Sequence, residues 1–584
     1  MSIFVIITLA LILVKILCMM FNRLPSDVLG LMIIAVLLVT ATLSRDEALS
    51  CFSSNSVVLV GVLSVLAAGL IHSGVPHWIA KHMLRTPGSY TQALGRLFLP
   101  AATLSMFVSN LAVVSLFISV VKVWAKKVNV APSQLLLPLS YASTLGGLCT
   151  LIGNSPNLVV ADFYTHETGK ALGLFAPFWP GMICAVVGLV TIILLQRLIP
   201  VRKAPEESFE SSADYTLELL VPTDCPSIGE TVEEASLYSV NGGQLIEIVR
   251  FDREVISPVP RDEFILGGDR LVYSGQINSI LELRETHGLV NATHHVFSVN
   301  DVNRNRKLQM AIVDAGSPLV GHAMLDLNFE DKNNVVLVAV SRAGERLTGI
   351  PREIELRAGD TILLEGSKLS PENFSGNLNF LDSVALPQSG VQTLISSFIM
   401  LGMVLLSLFD VMPLLESCFL ATLAMGITRC FSVEQLQNSI NWKTLMIFAG
   451  SVCLGKAIDA THIASFLGQM VQGVCGTDAL WALIIICFTA TFVTEFISNT
   501  TAAAVFTPVA LHVASDLGAN PLTFVIGLMM AVSCSFATPI GSETNTLIYG
   551  YGGFRFLDFL RLGLCMNLIL LAVNILVVTT LFPL

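Results

Sequence analysis

The chain has 584 residues, of which 53% are apolar and 13% are charged, and its mean hydropathy is +0.74. A soluble protein of this size does not have such a composition, so the sequence indicates a polytopic membrane protein. The net charge of -11 comes from one region, because residues 201–390 hold 16 Lys and Arg against 29 Asp and Glu, whereas the rest of the chain holds 16 against 14. The sequence has no basic patch of the kind that binds nucleic acid, which excludes that class of partner.

Long apolar runs predict ten membrane crossings, with a soluble insert between the fifth and the sixth. The runs lie at residues 3–20, 26–43, 57–71, 135–160, 174–198, 391–408, 412–430, 442–457, 522–549 and 556–582. The first run lacks a basic start and a small-residue cleavage site, so we expect it to be retained as the first helix. Lys15, close to the inner end of that helix, is expected to snorkel to the interface.

Two further apolar segments, residues 92–121 and 480–514, carry a Ser-Asn pair in the middle. Lipid cannot form hydrogen bonds with the polar side chains and free backbone groups of a Ser-Asn pair. We therefore expect each segment to form a re-entrant hairpin whose two half-helices meet at the Ser-Asn turn. The first hairpin would enter from the cytoplasm and the second from outside. Two membrane repeats, residues 1–200 and 387–584, would therefore have inverted topology, as alternating access requires.

Basic residues predict the orientation of the chain in the membrane. Residues such as Lys122, Arg197 and Arg561 fall on one side if the N-terminus is outside, and positive charge marks the cytoplasmic side. Both termini would then lie outside and residues 202–386 in the cytoplasm, in a membrane that we expect to be the bacterial inner membrane. Disulfides and structural zinc are not expected, because 11 of the 12 Cys lie in the membrane repeats and none forms a Cys-x-x-Cys pair.

The insert changes to short β-type runs separated by Gly, Asp and Pro, and it is itself duplicated. Leu266–Tyr273 matches Arg357–Leu364 at a separation of 91 residues, and Ile228-Gly229 matches Val320-Gly321 at a separation of 92. Each unit has a turn that leads into an alternating strand. We expect two small α+β domains, at residues 205–290 and 291–372.

A pair of polar motifs occurs once in each membrane repeat. Ser109-Asn110 is followed by Gly153-Asn154-Ser155-Pro156-Asn157, and Ser498-Asn499 by Gly541-Ser542-Glu543-Thr544-Asn545. Asn157 lies 47 residues after Asn110, and Asn545 lies 46 residues after Asn499. Interrupted apolar segments at matching positions indicate the substrate site of a secondary transporter. The alternative is a packing device, because small and polar residues also hold membrane helices together.

These motifs carry a family resemblance. The string Leu145–Asn157, the triplet Ser498-Asn499-Thr500, and Thr538–Gly541 running into Thr544–Leu547 resemble the divalent anion/sodium symporter family of the ion transporter superfamily. The resemblance covers both membrane repeats. It implies a homodimeric elevator transporter in the lipid bilayer, with a fixed scaffold, a moving domain that carries both hairpins, and sodium as coupling ion. The insert is similar to paired TrkA C-terminal (RCK-C) domains, for which a nucleotide is a candidate ligand.

The resemblance also implies a set of site residues. Carried over to matching positions, one sodium site would use Ser105, Ser109, Asn110 and Gly153, and a second would use Thr494, the Ile497 carbonyl, Asn499 and Gly541. Sodium is a hard cation, and these groups supply the oxygen ligands that it takes. The substrate contacts would be Asn110, Asn154, Ser155, Asn157, Asn499, Thr500, Ser542, Glu543 and Asn545, helped by the positive ends of half-helices.

Two carboxylates lie in or beside the motifs of the second repeat: Glu543 within the second motif and Glu495 before the Ser-Asn pair. Glu543 stands where members of the family carry Pro or Gln. It could pair with the cationic part of a zwitterionic substrate, carry a coupling proton, or point away and be satisfied structurally, and these three interpretations stay open. Glu495 precedes the second Ser-Asn turn and is expected to brace the hairpin through hydrogen bonds to backbone rather than to bind a ligand.

The leading hypothesis is a secondary active transporter that is coupled to sodium. Its substrate would be a small anion of the sulfate or dicarboxylate class, or a sulfonate or zwitterion. The insert would regulate or brace this transporter. The alternatives are a metalloid or oxyanion exporter of the same superfamily, and an RCK-regulated cation channel or transporter. Gly550-Tyr551-Gly552 resembles a potassium filter but occurs once, without a repeated pore segment. An enzyme is not expected, because no nucleophile and base, phosphate loop or metal cluster is visible.

Overall fold

A computed structural model of the chain describes residues 3–20, 26–75, 78–79, 89–128, 130–202, 216–240, 243–250, 254–256, 258–275, 289–291, 307–313, 317–325, 335–342, 345–347, 351–366, 378–380, 390–409, 411–440 and 442–584. The chain divides into two units. The membrane unit comprises Met1–Val201, Ala385–Ile548 and Arg555–Leu584, and the insert unit comprises Arg202–Val384 with Tyr549–Phe554.

Before the insert, the described helices are α1 (Ile3–Met20), α2 (Ser26–Val39), α3 (Arg45–Ser50), α4 (Asn55–His72), α5 (Tyr90–Ser105), α6 (Asn110–Val128), α7 (Pro132–Gly147), α8 (Ser155–Thr168) and α9 (Phe178–Leu194). After it come α10 (Val391–Leu408), α11 (Leu414–Ile427), α12 (Val433–Ser439), α13 (Trp442–Ala460), α14 (Ile463–Cys475), α15 (Ala479–Val493), α16 (Asn499–Asp516), α17 (Pro521–Ser533), α18 (Glu543–Tyr551) and α19 (Phe556–Leu581).

Both Ser-Asn segments are broken helices, as predicted. In the first, α5 ends at Ser105 and α6 begins at Asn110, and in the second, α15 ends at Val493 and α16 begins at Asn499. Ser498 is the N-cap of α16, and its hydroxyl accepts a hydrogen bond from the amide of Thr501 at 3.3 Å. A Ser or Asn beside a turn offers backbone groups a local partner, and this is why the helix ends there rather than continuing.

The predicted crossings at residues 135–160 and 522–549 are each interrupted at the second polar motif of their repeat. In the first, α7 ends at Gly147 and α8 begins at Ser155, with Pro156 in its first turn, where a missing N–H is tolerated. In the second, α17 ends at Ser533 and α18 begins at Glu543. The hydropathy of these segments is high enough for a span, but polar side chains hold the unwound backbone between their halves.

Three described helical stretches are long and apolar enough to cross a membrane: Arg45–His72, which joins α3 and α4, Val391–Leu408 and Phe556–Leu581. Further apolar helices are shorter, including Phe178–Leu194, Ala479–Val493 and Pro521–Ser533. The number of crossings therefore stays a prediction. Helix α14 was not predicted from the sequence. It follows a break at His462, which has a φ of 58°, and it lies between two predicted membrane elements.

Lys15 does not snorkel, contrary to the prediction. Its side chain is buried in the membrane unit, and its Nζ donates to Ser451 Oγ of α13 at 3.1 Å. Helix α13 packs against α2 so closely that Gly30 and Gly450 meet backbone to backbone. A hydroxyl buried at this crossing therefore attracts the ammonium group inward.

The insert unit contains two antiparallel sheets in its described residues. Their strands are β1 (Thr216–Leu220), β2 (Ser239–Val240), β3 (Gly243–Arg250), β4 (Glu254–Ile256), β5 (Arg270–Gly275), β6 (Val290–Asn291), β7 (Lys307–Val313), β8 (Val335–Arg342), β9 (Glu345–Arg346), β10 (Thr361–Gly366) and β11 (Leu378–Phe380). The orders are β2-β3-β5-β1-β6, with β4 beside β3, and β11-β7-β10-β8-β9. Between Arg202 and Val384, the helical part of the predicted α+β character has no counterpart among the described residues beyond the short 3₁₀ helix Pro351–Glu353.

The predicted duplication is present in side-chain detail. Arg250 binds both carboxylate oxygens of Asp269 at 3.1 Å, and Arg342 binds those of Asp360 at 2.8 and 2.7 Å. These bonds raise the pKa of each guanidinium above its ordinary value. Gly268 and Gly359 precede the two Asp residues with φ of 92° and 84°, a conformation that glycine adopts most easily. The same turn and ion pair therefore open β5 and β10.

Candidate functional site

The first copy of the site gathers oxygen atoms around Asn110, at the start of α6. The amide end of Asn110 lies 3.1 Å from the carbonyl oxygens of Ser143 and Gly153 and 2.5 Å from Ser105 Oγ, with its nitrogen oriented to donate. Ser105 Oγ is also 2.9 Å from Ser143 Oγ. If the amide turned its oxygen inward, four oxygens would converge, and this arrangement suits a hard cation.

The second copy repeats this geometry around Asn499, at the start of α16. Thr494 Oγ1 lies 2.7 Å from Asn499 Oδ1 and 2.8 Å from the carbonyl oxygen of Val532. Thr494 corresponds to Ser105 and Asn499 to Asn110, each pair being 389 residues apart. A hydroxyl and an amide therefore meet at the same place in both broken hairpins.

The unwound loops after α7 and α17 are held by three hydrogen bonds that are the same in both copies. The hydroxyls of Thr150 and Thr538 donate to the carbonyls of Met106 and Glu495. The same hydroxyls accept from the amides of Gly153 and Gly541, at 3.0 and 3.1 Å. The side-chain nitrogens of Asn157 and Asn545 donate to the carbonyls of Thr150 and Thr538, each at 3.0 Å. Each loop is thus tied to its own hairpin.

Gly153 and Gly541 are required by close approach of the backbone. A Cβ atom on Gly153 would stand 2.6 Å from the carbonyl oxygen of Ser105, and one on Gly541 would stand 2.8 Å from that of Thr494. Real Cβ atoms do not come this close to a backbone oxygen. Glycine therefore brings each loop within reach of the end of its hairpin's first half-helix.

The remaining predicted residues divide by exposure. Ser109 and Glu543 are exposed, and Ser155 is half-buried. Ile497, Thr500, Asn154 and Ser542 are buried, and Ser542 Oγ lies 2.8 Å from Thr544 Oγ1. Asn154 Nδ2 is buried and has no hydrogen-bond partner in the described residues, although Asn154 stands in the N-cap position of α8. In the first copy the structure thus brings Ser105, Asn110 and Gly153 together, and in the second copy it brings Thr494, Asn499 and Gly541 together. The side chain of Ser109 takes no part in these contacts.

Asn157 and Asn545 were predicted to touch substrate, but their geometry is that of a frame. Both are fully buried, at 0% and 1% exposure. Asn545 uses its nitrogen on two carbonyls, those of Ser535 and Thr538, and its oxygen accepts from Ser140 at 2.7 Å. The Asn545 amide is therefore occupied at both ends, whereas only the nitrogen of Asn157 has a partner among the described residues.

Sequence reasoning missed four polar residues that complete the two copies: Ser140, Ser143, Thr150 and Thr538. Thr150 and Thr538 each stand three residues before the motif glycine, so the repeated spacing Thr-x-x-Gly could have identified them. Ser140 and Ser143 have no Ser at the corresponding positions of the second repeat, Leu528 and Ala531, and only the structure shows their contacts.

Glu495 acts as the predicted brace. Its Oε1 accepts hydrogen bonds from the amide of Ala537 at 2.9 Å and from Asn567 Nδ2 of α19 at 2.5 Å. Within the part of the chain that the structure describes, its Oε2 is buried without a hydrogen-bond partner. The carboxylate therefore joins the second hairpin turn, the loop after α17 and α19.

Comparison with known proteins assigns the chain to a class. The protein-family model described as "Citrate transporter" matches residues 16–485. The protein-family model described as "Sodium:sulfate symporter transmembrane region" matches residues 393–583. These matches, with the apolar helices, show an integral membrane anion transporter of the divalent anion/sodium symporter type and point away from an enzyme.

Three relatives illustrate what the chain is similar to by sequence. An uncharacterized transporter of Synechocystis, sll0640, is 26% identical over 96% of this chain and 95% of its own length. The uncharacterized transporter YfbS of Escherichia coli is 27% identical over 96% of each chain. "Sodium/sulfate cotransporter 1" of Chlamydomonas reinhardtii is 26% identical over 57% of this chain and 40% of its own length.

Proposed function

Because the chain belongs to the citrate transporter family, we propose that it is a sodium-coupled secondary transporter of a small, multiply charged anion of the sulfate or dicarboxylate class. The observation that carries the proposal is the doubled arrangement of hydroxyl, amide and glycine at two broken hairpins. Discontinuous membrane helices of this kind form ion and substrate sites in transporters.

The first sodium site would use Ser105, Asn110, Ser143 and Gly153. Ser109 is left out of this set because its side chain is exposed and its carbonyl accepts the amide of Val113 at 3.1 Å. Binding would turn the Asn110 oxygen toward the cation, with the carbonyls of Ser143 and Gly153 and the Ser105 hydroxyl as further ligands. The second site would use Thr494, the Ile497 carbonyl, Asn499 and Gly541, where Thr494 and Asn499 already meet at 2.7 Å.

The substrate site would lie where the N-termini of α8, α16 and α18 present N–H groups to an anion. Asn154 supplies a buried donor that has no hydrogen-bond partner among the described residues, and Ser155, Thr500 and Ser542 supply hydroxyls. No Lys or Arg occurs in residues 105–110, 143–157, 491–500 or 532–545. A divalent anion there needs cations to balance its charge, so sodium would be an obligatory partner of the substrate.

The same proposal includes alternating access by an elevator motion of a homodimer in the bacterial inner membrane, with both termini outside. The insert would be a pair of cytoplasmic TrkA-C-like domains that brace or regulate transport, with a nucleotide as a candidate ligand. The support for two similar modules is the duplicated turn with its ion pairs Arg250–Asp269 and Arg342–Asp360.

The test is uptake of labelled sulfate, a C4 dicarboxylate and citrate into proteoliposomes that contain the purified protein. We expect an inward sodium gradient to stimulate uptake of at least one of these anions, and an equal choline gradient to have no effect. Anion uptake that is indifferent to sodium would overturn the proposed coupling.

A further inference from the structure

A second polar cavity lies in the membrane unit and shares no residue with either copy of the site. Its volume is about 580 Å³, and its walls come from the end of α4, the start of α10, the end of α11 and the loop that leads into α12. The lining includes His72, Gln392, Gly426, Arg429, Ser432 and Gln435. None of the described residues that line it is Asp or Glu, so its charge is positive.

Arg429 supplies that charge. Its carbonyl accepts a hydrogen bond from Gln392 Nε2 at 3.4 Å, which fixes the backbone after α11 against the start of α10. In the part of the chain that the structure describes, its guanidinium has neither an ion pair nor a hydrogen bond. His72 adds an imidazole ring, and Ser432 and Gln435 add a hydroxyl and an amide. A guanidinium without an internal counter-charge, surrounded by further donors, suits a phosphate group.

The cavity lies where membrane-crossing helices end. Arg45–His72 and Val391–Leu408 are both long and apolar enough to cross a membrane, and each has one end in the cavity wall. The Thr393 hydroxyl donates to the Ser73 carbonyl at 2.5 Å, and Ser73 Oγ lies 2.7 Å from Ser396 Oγ, so these two ends are joined. The ends of spanning segments lie at the depth of the lipid headgroups, and this is where a phosphate of the bilayer would be found.

An exposed apolar stripe leads away from the cavity along α11. Gly426, in the cavity wall, stands three residues after Leu423 and seven residues after Phe419, which places all three on one face of the helix. Leu423 is 61% exposed and Phe419 is 51% exposed, and Ile427 beside the wall is 73% exposed. An apolar face that continues a basic cavity matches a molecule with a charged head and a hydrocarbon chain.

We propose that this cavity binds an anionic phospholipid. The phosphate would bind Arg429 and His72, and an acyl chain would lie along Gly426, Leu423 and Phe419. A free phosphate would use only the polar wall, and a second copy of the chain would use only the apolar stripe, so the two features together favour a lipid. The lipid would join α4, α10 and α11 at one membrane surface, and the inference does not depend on which anion is transported.

The test is native mass spectrometry of the purified full-length protein after addition of equal amounts of phosphatidylglycerol and phosphatidylcholine. We expect the wild type to retain phosphatidylglycerol in preference. Arg429→Gln should reduce that preference about fivefold, since one Arg at an anionic lipid surface contributes a factor of that size. Lys443→Gln is the matched control, because Lys443 is an exposed basic residue of α13 that does not line the cavity, and it should behave as the wild type.

A second variant tests the apolar half without a change of charge. A Cβ atom on Gly426 would come no closer than 3.9 Å to its nearest neighbour, the Phe431 ring, so Gly426→Leu should fold. Its larger side chain should fill the wall and reduce the amount of phosphatidylglycerol retained several-fold.

Three results would overturn the lipid site. The first is a wild type without preference for phosphatidylglycerol, or an equal loss of preference in Arg429→Gln and Lys443→Gln. The second is a melting temperature that inorganic phosphate raises in the wild type but not in Arg429→Gln, while phosphatidylglycerol is not retained, which would identify a site for a free anion. The third is a Gly426→Leu protein that retains lipid normally but elutes as a smaller oligomer than the wild type, which would identify an interface between copies.

Discussion

In the first copy of the site the residue after Ser105 is Met106, whereas in the second copy the residue after Thr494 is Glu495. Both residues give their carbonyl to a threonine of the unwound loop, so the backbone frame is the same. Only the second side chain adds a carboxylate, which holds Ala537 and Asn567. The difference shows that Thr, Gly and Asn form a common frame, and that the neighbouring positions give each copy its own chemistry.

The largest effect is expected when the amide is removed from one copy at a time. Asn110→Ala and Asn499→Ala each delete an oxygen at a proposed ion site, and we expect either change to abolish sodium-stimulated uptake in proteoliposomes. Water can replace a lost ligand in a wet cavity, so the protein should still elute as a folded species in size-exclusion chromatography.

Ser115→Ala serves as the control for the asparagine variants. Ser115 is exposed on α6, and its hydroxyl donates to the Ala112 carbonyl of the preceding turn. Its uptake should equal that of the wild type. If one asparagine variant transports normally with sodium, the two copies are not equivalent ion sites.

The next test concerns the threonine that ties each loop to its hairpin. Thr150→Val and Thr538→Val remove a hydroxyl that both donates and accepts, and each should lower the free energy of unfolding by about 1–3 kcal/mol. Thr150→Ser and Thr538→Ser keep the hydroxyl and should retain most of the stability. Thermal melting in detergent measures all four variants, and valine variants as stable as the serine variants would argue against the shared frame.

Glu543 tests what distinguishes the second copy toward the substrate. If its carboxylate pairs with a substrate ammonium, two unit charges at 4 Å interact by roughly 4 kcal/mol at an effective dielectric of 20. Glu543→Gln would then remove part of this energy. A loss of only a third of it would shift the preference from a zwitterion toward a plain dianion by about tenfold. Competition between sulfate and an aminosulfonate measures the shift.

Two other results of the Glu543 experiment are informative. A flatter pH dependence of uptake without a change in substrate preference would identify a coupling proton. If neither quantity moves, Glu543 has a structural role, and transport of a plain anion is the simpler account.

The smallest effect is expected for Glu495→Gln. The amide oxygen of Gln can still accept from Ala537 and Asn567, so the melting temperature and sodium affinity should change little. Glu495→Met, which copies the first repeat, leaves both donors unpaired and should cost about 1–3 kcal/mol. A glutamine variant as damaged as the methionine variant would show that the charge, rather than the acceptor, is what the second copy needs.

The breaks at the Ser-Asn turns and the duplication of the insert could be predicted from sequence, because each depends on residues close together in the chain. The interruptions at Gly147–Ser155 and Ser533–Glu543 could not be read from hydropathy, which averages over a few polar atoms. The hydrogen bonds of Ser140 and Lys15 could not be predicted from neighbouring residues. Their partners, Asn545 and Ser451, lie 405 and 436 residues away along the chain. Their roles depend on the packing of separate helices.

The hydrogen bond between Lys15 and Ser451 also has a consequence for biogenesis. Ribosomes add about 5–20 residues per second, so roughly 20–90 s pass between the synthesis of these two residues. During that interval the first helix holds an ammonium group without its final hydroxyl, in a nascent chain whose second half is still unmade. The contact that holds the Lys15 side chain inside the membrane unit can therefore form only after α13 has been translated.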